Sequence, residues 1–187
     1  MAKRVCPWWL GYFLASPVRR WLMREDPAQI LAPYVREGMT VLEPGPGMGF
    51  FTLELAMRVG VSGKVVAVDL QPKMIAGLKR RAAKAGALDR IEPRVATPES
   101  LGVDDLAGLV DFTLAYALVH EMPDSAKFFR QAAAVSKAGA LLLLAEPSGH
   151  VKAEDFEAEV KQAGEAGFVV AGRPGVAHSQ AVLLRKT

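Results

Sequence analysis

Val41-Leu-Glu-Pro-Gly-Pro-Gly-Met-Gly-Phe-Phe51 is the stretch on which the reading of this chain turns. Residues 40–42 are β-branched and apolar and lead into Glu43, while residues 50–59 carry apolar side chains at helical spacing, so the glycines lie between a strand and a helix. Gly45, Gly47 and Gly49 remove side chains where backbone must approach a ligand, and they tolerate positive φ. The helix behind them directs free N–H groups into the same space. The expectation is a ligand-binding loop, with Pro46 part of it.

Two details select the ligand. A G-x-G-x-x-G dinucleotide fingerprint counted from Gly45 puts its last glycine where Phe50 stands; here the third glycine, Gly49, comes one residue early. Glu43 at the strand tip repels a pyrophosphate but suits a ligand with an ammonium and a sulfonium, and S-adenosylmethionine carries both and no phosphate. Downstream, Lys64-Val-Val-Ala-Val-Asp69 reads as a second buried strand ending in an acid, followed by Leu70. A carboxylate there is placed to accept both hydroxyls of a ribose.

On these residues the chain resembles the class I S-adenosylmethionine-dependent methyltransferases. The likeness is to the small-molecule type that includes menaquinone and ubiquinone C-methyltransferases and arsenite methyltransferases. It covers roughly residues 30–187. The resemblance implies an α/β fold, a three-layer Rossmann-like sandwich around a seven-stranded, mostly parallel sheet of order 3-2-1-4-5-7-6 with strand 7 antiparallel. It implies cofactor contacts from Glu43, Gly45, Pro46, Gly47, Gly49, Asp69, Leu70, Ala115 and Tyr116. It also implies an acid followed by a small residue after the third strand, to read the adenine amine. The loop Ala96-Thr-Pro-Glu-Ser-Leu101 puts Thr97 at that acid's place, a departure that leaves a weaker acceptor. Arsenite methyltransferases hold a thiophilic substrate with several cysteines, and this chain has only Cys6.

Length and composition bound the rest. The 187 residues make one domain the simplest expectation, with residues 1–37 as an N-terminal helical cap or lid segment. Hydrophobic residues at 51% and charged ones at 23% describe a globular chain, and no apolar run is long enough for stable membrane insertion. A net charge of only +3 gives no basic stripe, so nucleic acid is not the expected partner. Lys79-Arg-Arg81 reads as a solvated helix face. A lone cysteine agrees with a reducing cytoplasm. The first residues, with positive charge and then apolar side chains, mimic a signal peptide, but Pro7 and the rings of Trp8, Trp9 and Tyr12 make secretion the lesser reading. A monomer or homodimer is expected.

Along the chain, residues 8–22 form one or two amphipathic helices broken by Pro17. A substrate lid using Trp9 and Tyr12, a membrane-surface contact and a packed edge helix are all open. Asp26 before Pro27 predicts a capped helix start. Helices are expected over residues 72–85, 126–135 (closed by Gly139) and 154–166 with Phe156 and Val160 inward. Strands are expected over residues 91–95 (at an edge, because of Pro93), 110–116, 141–145, 168–170 and 179–184. Ligands in such sheets bind beyond the carboxyl ends of the strands, at the switch point between strands one and four, and Glu43, Asp69, Thr97 and Tyr116 all fall at such ends.

Methyl transfer from a sulfonium is an in-line displacement with a neutral leaving group, so holding the reactants collinear in a dry cavity supplies much of the catalysis. His120, beside Glu121, is the candidate base; capping or packing its loop is the competing role. His150 is a candidate substrate contact and His178 reads as structural. No Asn-Pro-Pro-Tyr or Asp-Pro-Pro-Tyr follows strand four, which disfavours adenine amino methylation, and no metal-ligand spacing is present. A small organic acceptor, apolar or aromatic, is the expectation. The alternative is a domain of this fold that binds the cofactor or a partner protein without catalysis.

Overall fold

The computed structural model describes residues 25–187. In order these form α1 (Pro27–Leu31), β1 (Thr40–Pro44), α2 (Thr52–Val59), β2 (Lys64–Asp69), α3 (Pro72–Lys84), β3 (Ile91–Val95), β4 (Val110–Tyr116), α4 (Ser125–Val135), β5 (Ser136–Pro147), α5 (Ala153–Glu165), β6 (Phe168–Gly172) and β7 (Ser179–Lys186). The strands make a seven-stranded sheet in the order β3-β2-β1-β4-β5-β7-β6. β1 with β2, β2 with β3 and β4 with β5 are parallel pairs, while β7 runs antiparallel to β5 and β6. This is the expected order, with the expected strand reversed. The described residues divide into two compact units, one ending at Gly102 and the other beginning at Val103.

In the first unit the uninterrupted apolar runs of β1 and β2 bury Val41, Leu42 and Val65 to Val68, as strands covered on both faces must. α2 turns Leu55, Ala56 and Val59 inward and α3 turns Met74, Ile75, Leu78 and Ala82 inward, each at helical spacing. Asp26 caps α1 by accepting from Ala28 N at 3.1 Å, with Pro27 at the first helical position. Arg58 ties α1 to α2 by donating to the Ala28 carbonyl at 2.8 Å. β3 lies at the edge of the sheet, where Pro93 forfeits no hydrogen bond to a further strand. α2 begins at Thr52 rather than Phe50, because residues 47–51 are spent in turns.

In the second unit Phe112 and Leu114 of β4 meet the run Leu142 to Leu144 of β5, all at most 1% exposed. Asp124 caps α4 by accepting from Lys127 N at 2.8 Å. Two expectations are corrected here. Gly139 does not close the helix: α4 ends at Val135, where Ser136 donates its hydroxyl to the Ala132 carbonyl at 2.8 Å, and the chain passes directly into β5. Gly139, at φ +80°, instead sits in a bulge, since Val110 pairs with Ser136 while Phe112 already pairs with Leu141. On α5 the buried stripe is Phe156, Glu159 and Ala163, with Val160 on its flank. No helix among the described residues is long and apolar enough to cross a membrane.

Candidate functional site

β1 delivers Glu43 to its tip with 3% of its surface exposed. The loop that follows is anchored to β2 by Gly45 N donating to the Val68 carbonyl at 2.8 Å, and closed on itself by Gly49 N donating to the Pro46 carbonyl at 2.9 Å. Gly45, Gly47 and Gly49 have φ of +69°, +54° and +87°, a region that side chains resist. Gly47 faces open space, so backbone conformation alone demands glycine there. Gly49 carries a second constraint: a Cβ would stand 2.6 Å from Leu78 Cδ1. The third glycine therefore sits where α3 passes beneath the loop.

α3 grips that loop along one face. Gly77 leaves room for Met48, whose side chain a Cβ would approach to 3.0 Å, and Arg81 donates through Nη1 to the Met48 carbonyl at 2.5 Å. Burial lowers the Arg81 pKa. The basic cluster read as a solvated face thus has one member turned inward, because a carbonyl of the loop lies within its reach.

At the end of β2, Asp69 Oδ1 accepts from Gln71 N at 2.8 Å and so fixes the turn into α3. Its carbonyl accepts from Ala96 N at 3.0 Å, which holds the loop after β3 beside it. Thr97 is exposed, and its hydroxyl accepts from Ser100 N at 3.1 Å. Leu70 is 41% exposed. The parallel register therefore gathers Glu43, the glycines, Asp69, Leu70 and Thr97 at the carboxyl ends of three adjacent strands.

Electrostatically Glu43 is the unusual member. Burial, less an easing contribution from Thr52 and with repulsion from Asp69 added, raises its pKa from 4.5 to about 8. Glu43 Oε2 and Thr52 Oγ1 are both buried without a hydrogen-bond partner at normal distance. A buried acceptor with no donor is costly on its own and fits a ligand that brings a donor or a positive charge. S-adenosylmethionine brings both.

In the second unit β4 ends at Ala115 and Tyr116, at 0% and 9% exposure. The chain leaves through Ala117, whose φ of +51° is strained for a residue with a Cβ, and whose N–H donates to the Ala145 carbonyl at 2.8 Å. That turn aims three consecutive N–H groups, of Leu118, Val119 and His120, at Glu146 Oε1, at 3.3, 2.7 and 3.4 Å. Glu146 Oε2 lies 2.5 Å from His120 Nδ1. Sequence reasoning missed Glu146, although Ala145-Glu146-Pro147 repeats the signal of Leu42-Glu43-Pro44: an acid and a proline closing a buried strand. The two acids have different surroundings: Glu43 Oε2 has no hydrogen-bond partner, whereas Glu146 receives four.

His150 is exposed on the turn after β5, its N–H donating to the Pro147 carbonyl at 3.0 Å. Trp9 and Tyr12, and with them residues 1–24 of the helical cap expected over residues 1–37, lie outside the described residues. Among the described residues no cluster of three or more His, Cys, Asp or Glu side chains is arranged to hold a metal ion.

Residues 35–175 match the family model described as a methyltransferase domain. The chain is 32% identical, over 64% of its length and 47% of the relative's, to the ubiquinone/menaquinone biosynthesis C-methyltransferase of Idiomarina loihiensis. It is 31% identical, over 38% of its length and 25% of the relative's, to a tRNA adenine-N1 methyltransferase of Methanocaldococcus jannaschii. The chain thus spans between a quarter and a half of these curated relatives. Among solved structures, an S-adenosylmethionine-dependent methyltransferase from Aquifex aeolicus superposes with a TM-score of 0.85 at 25% identity, covering 98% of this chain and 100% of that one.

Proposed function

The chain belongs to the methyltransferase-domain family, and on that premise we propose that it binds S-adenosylmethionine and transfers the methyl group to a small organic acceptor. The observation that carries the cofactor assignment is the buried Glu43 carboxyl, its Oε2 without a hydrogen-bond partner, at the root of a loop with three left-handed glycines. Glu43 and the loop would receive the amino-acid end of the cofactor, Asp69 the ribose, and Thr97 the adenine amine. Ala115 and Tyr116, at the end of β4, are further candidate cofactor contacts. The bound sulfonium supplies the methyl group. The chain's own contribution is to hold it, orient it and exclude water.

A small acceptor is favoured over nucleic acid by the net charge of +3, too low for a phosphate-tracking surface, and methylation of an adenine amino group is disfavoured by the absence of Asn-Pro-Pro-Tyr or Asp-Pro-Pro-Tyr after β4. We place the enzyme in the cytoplasm, as a monomer or homodimer, with Trp9, Tyr12 and His150 as acceptor contacts. Calorimetric titration with S-adenosylhomocysteine and with NAD tests the cofactor. The expected result is micromolar-type binding of the first and none of the second; tighter binding of NAD would overturn the proposal. Bound cofactor with no methyl transfer across broad acceptor screens would instead favour a non-catalytic binding domain.

A further inference from the structure

At the carboxyl ends of β4 and β5 lies a buried acid, Glu146, that the proposed cofactor contacts do not include. Glu146 is 0% exposed, and a charge so placed is tolerable only when fully hydrogen-bonded. The structure supplies those bonds completely: Oε1 takes the three backbone N–H groups and Oε2 takes His120 Nδ1. A carboxylate accepts and does not donate, so the proton between the two side chains belongs to Nδ1. This leaves Nε2 as the nitrogen with a free lone pair, on a side chain 24% exposed. The strain at Ala117 serves the same end, since the left-handed turn there brings the three N–H groups onto Oε1.

We propose that Glu146 is a positioning residue that holds His120 in the Nδ1–H tautomer as a proton acceptor, for a methyl acceptor whose reacting O–H, N–H or C–H must lose its proton. This rests on the methyltransferase reading of the site. In the balanced step the acceptor's electron pair forms the new bond to carbon while the methyl–sulfur bond breaks. That bonding pair stays on sulfur, giving the neutral thioether, and the acceptor's proton passes to His120 Nε2. The resulting imidazolium is stabilised by the Glu146 carboxylate at its Nδ1. Glu121 and Glu159 add negative potential from the imidazole's own turn and from α5. Together with Glu146 they raise the His120 pKa against the opposing effect of burial. An acceptor that reacts as a pre-formed anion would gain nothing from this pair.

The test uses the full chain and Glu146→Gln. A glutamine preserves an acceptor for the three N–H groups but turns an amide N–H toward Nδ1, which forces the proton to Nε2. Nitrogen-15 NMR of His120, identified by His120→Asn, should show the Nδ1–H tautomer and a raised pKa in the native chain. In Glu146→Gln it should show the Nε2–H tautomer and a basicity at least about tenfold lower. With labelled S-adenosylmethionine, transfer to 1-naphthol should fall about tenfold or more in the variant, while transfer to thiophenolate stays within about twofold. An Nε2–H tautomer in the native chain, an unchanged His120 pKa in the variant, or equal transfer to 1-naphthol by both proteins overturns the proposal. Calorimetry with S-adenosylhomocysteine separates the two levels. Loss of binding by the native chain rejects the methyltransferase reading, whereas retained binding with an inverted tautomer rejects the dyad alone.

Discussion

The substitution Glu43→Gln should make the protein more stable and worse at binding its cofactor, and both effects have a calculable size. The folded-state pKa of about 8 lies above the ordinary 4.5, so between those values the folded chain holds the proton more tightly than the unfolded one. The stability contributed is fully present below 4.5 and is lost as pH rises through about 8. At about 1.4 kcal/mol per tenfold change in proton affinity, the whole excursion corresponds to roughly 5 kcal/mol. The amide side chain has nearly the shape of the protonated acid and never ionises. The variant should therefore match the native chain near pH 5 and exceed it by about 4 kcal/mol near pH 9. Urea unfolding of both proteins across that range measures the difference. A stability gap that does not change with pH would falsify the buried, donor-poor environment assigned to Glu43. Calorimetry on the same proteins should show S-adenosylhomocysteine weakened by about 1.5 to 3 kcal/mol in the variant, the range for a bond to a charged group.

The glycines separate conformational strain from crowding. Gly47→Ala should cost about 1 to 2 kcal/mol for its left-handed φ alone, while Gly49→Ala should cost about 1 to 3 kcal/mol more because of Leu78, and equal losses in urea unfolding would refute the contact. Asp69→Ala should weaken S-adenosylhomocysteine by about 1.5 to 3 kcal/mol and leave a cooperative thermal transition; an unchanged dissociation constant would remove Asp69 from the ribose site. Arg81→Met frees the Met48 carbonyl and should weaken the same ligand by about tenfold through a less ordered loop, and titration calorimetry showing native affinity would mean that the grip of α3 is immaterial to binding.

The alternation of strands and helices was readable because each element states its burial in its own few residues. Val65 to Val68 had to be a strand covered on both faces, and Met74, Ile75, Leu78 and Ala82 had to face inward from a helix. Gly139 shows where local signals mislead. A glycine after an apolar helix reads as its terminator, yet the helix had already stopped at Val135, and the glycine's positive φ was needed to absorb extra residues against β4. Arg81 was misread for a related reason: three consecutive basic residues look solvated in one dimension, whereas only the crossing of α3 under the loop shows which of them meets a carbonyl.

By itself the sequence determined that a glycine loop follows one buried strand, that acids stand at the tips of the first two strands, and that the pyrophosphate fingerprint is broken. These are properties of neighbours along the chain, set by backbone sterics and hydrophobic spacing. What the acids do was decided by tertiary structure. Glu43 and Glu146 close their strands in nearly the same local sequence. One is buried with its Oε2 unpartnered, while the other receives His120 from 26 positions away together with three backbone N–H groups. A carboxyl group's proton affinity depends on the donors and charges packed around it, and the strand register that brings those donors together is fixed only when the sheet forms.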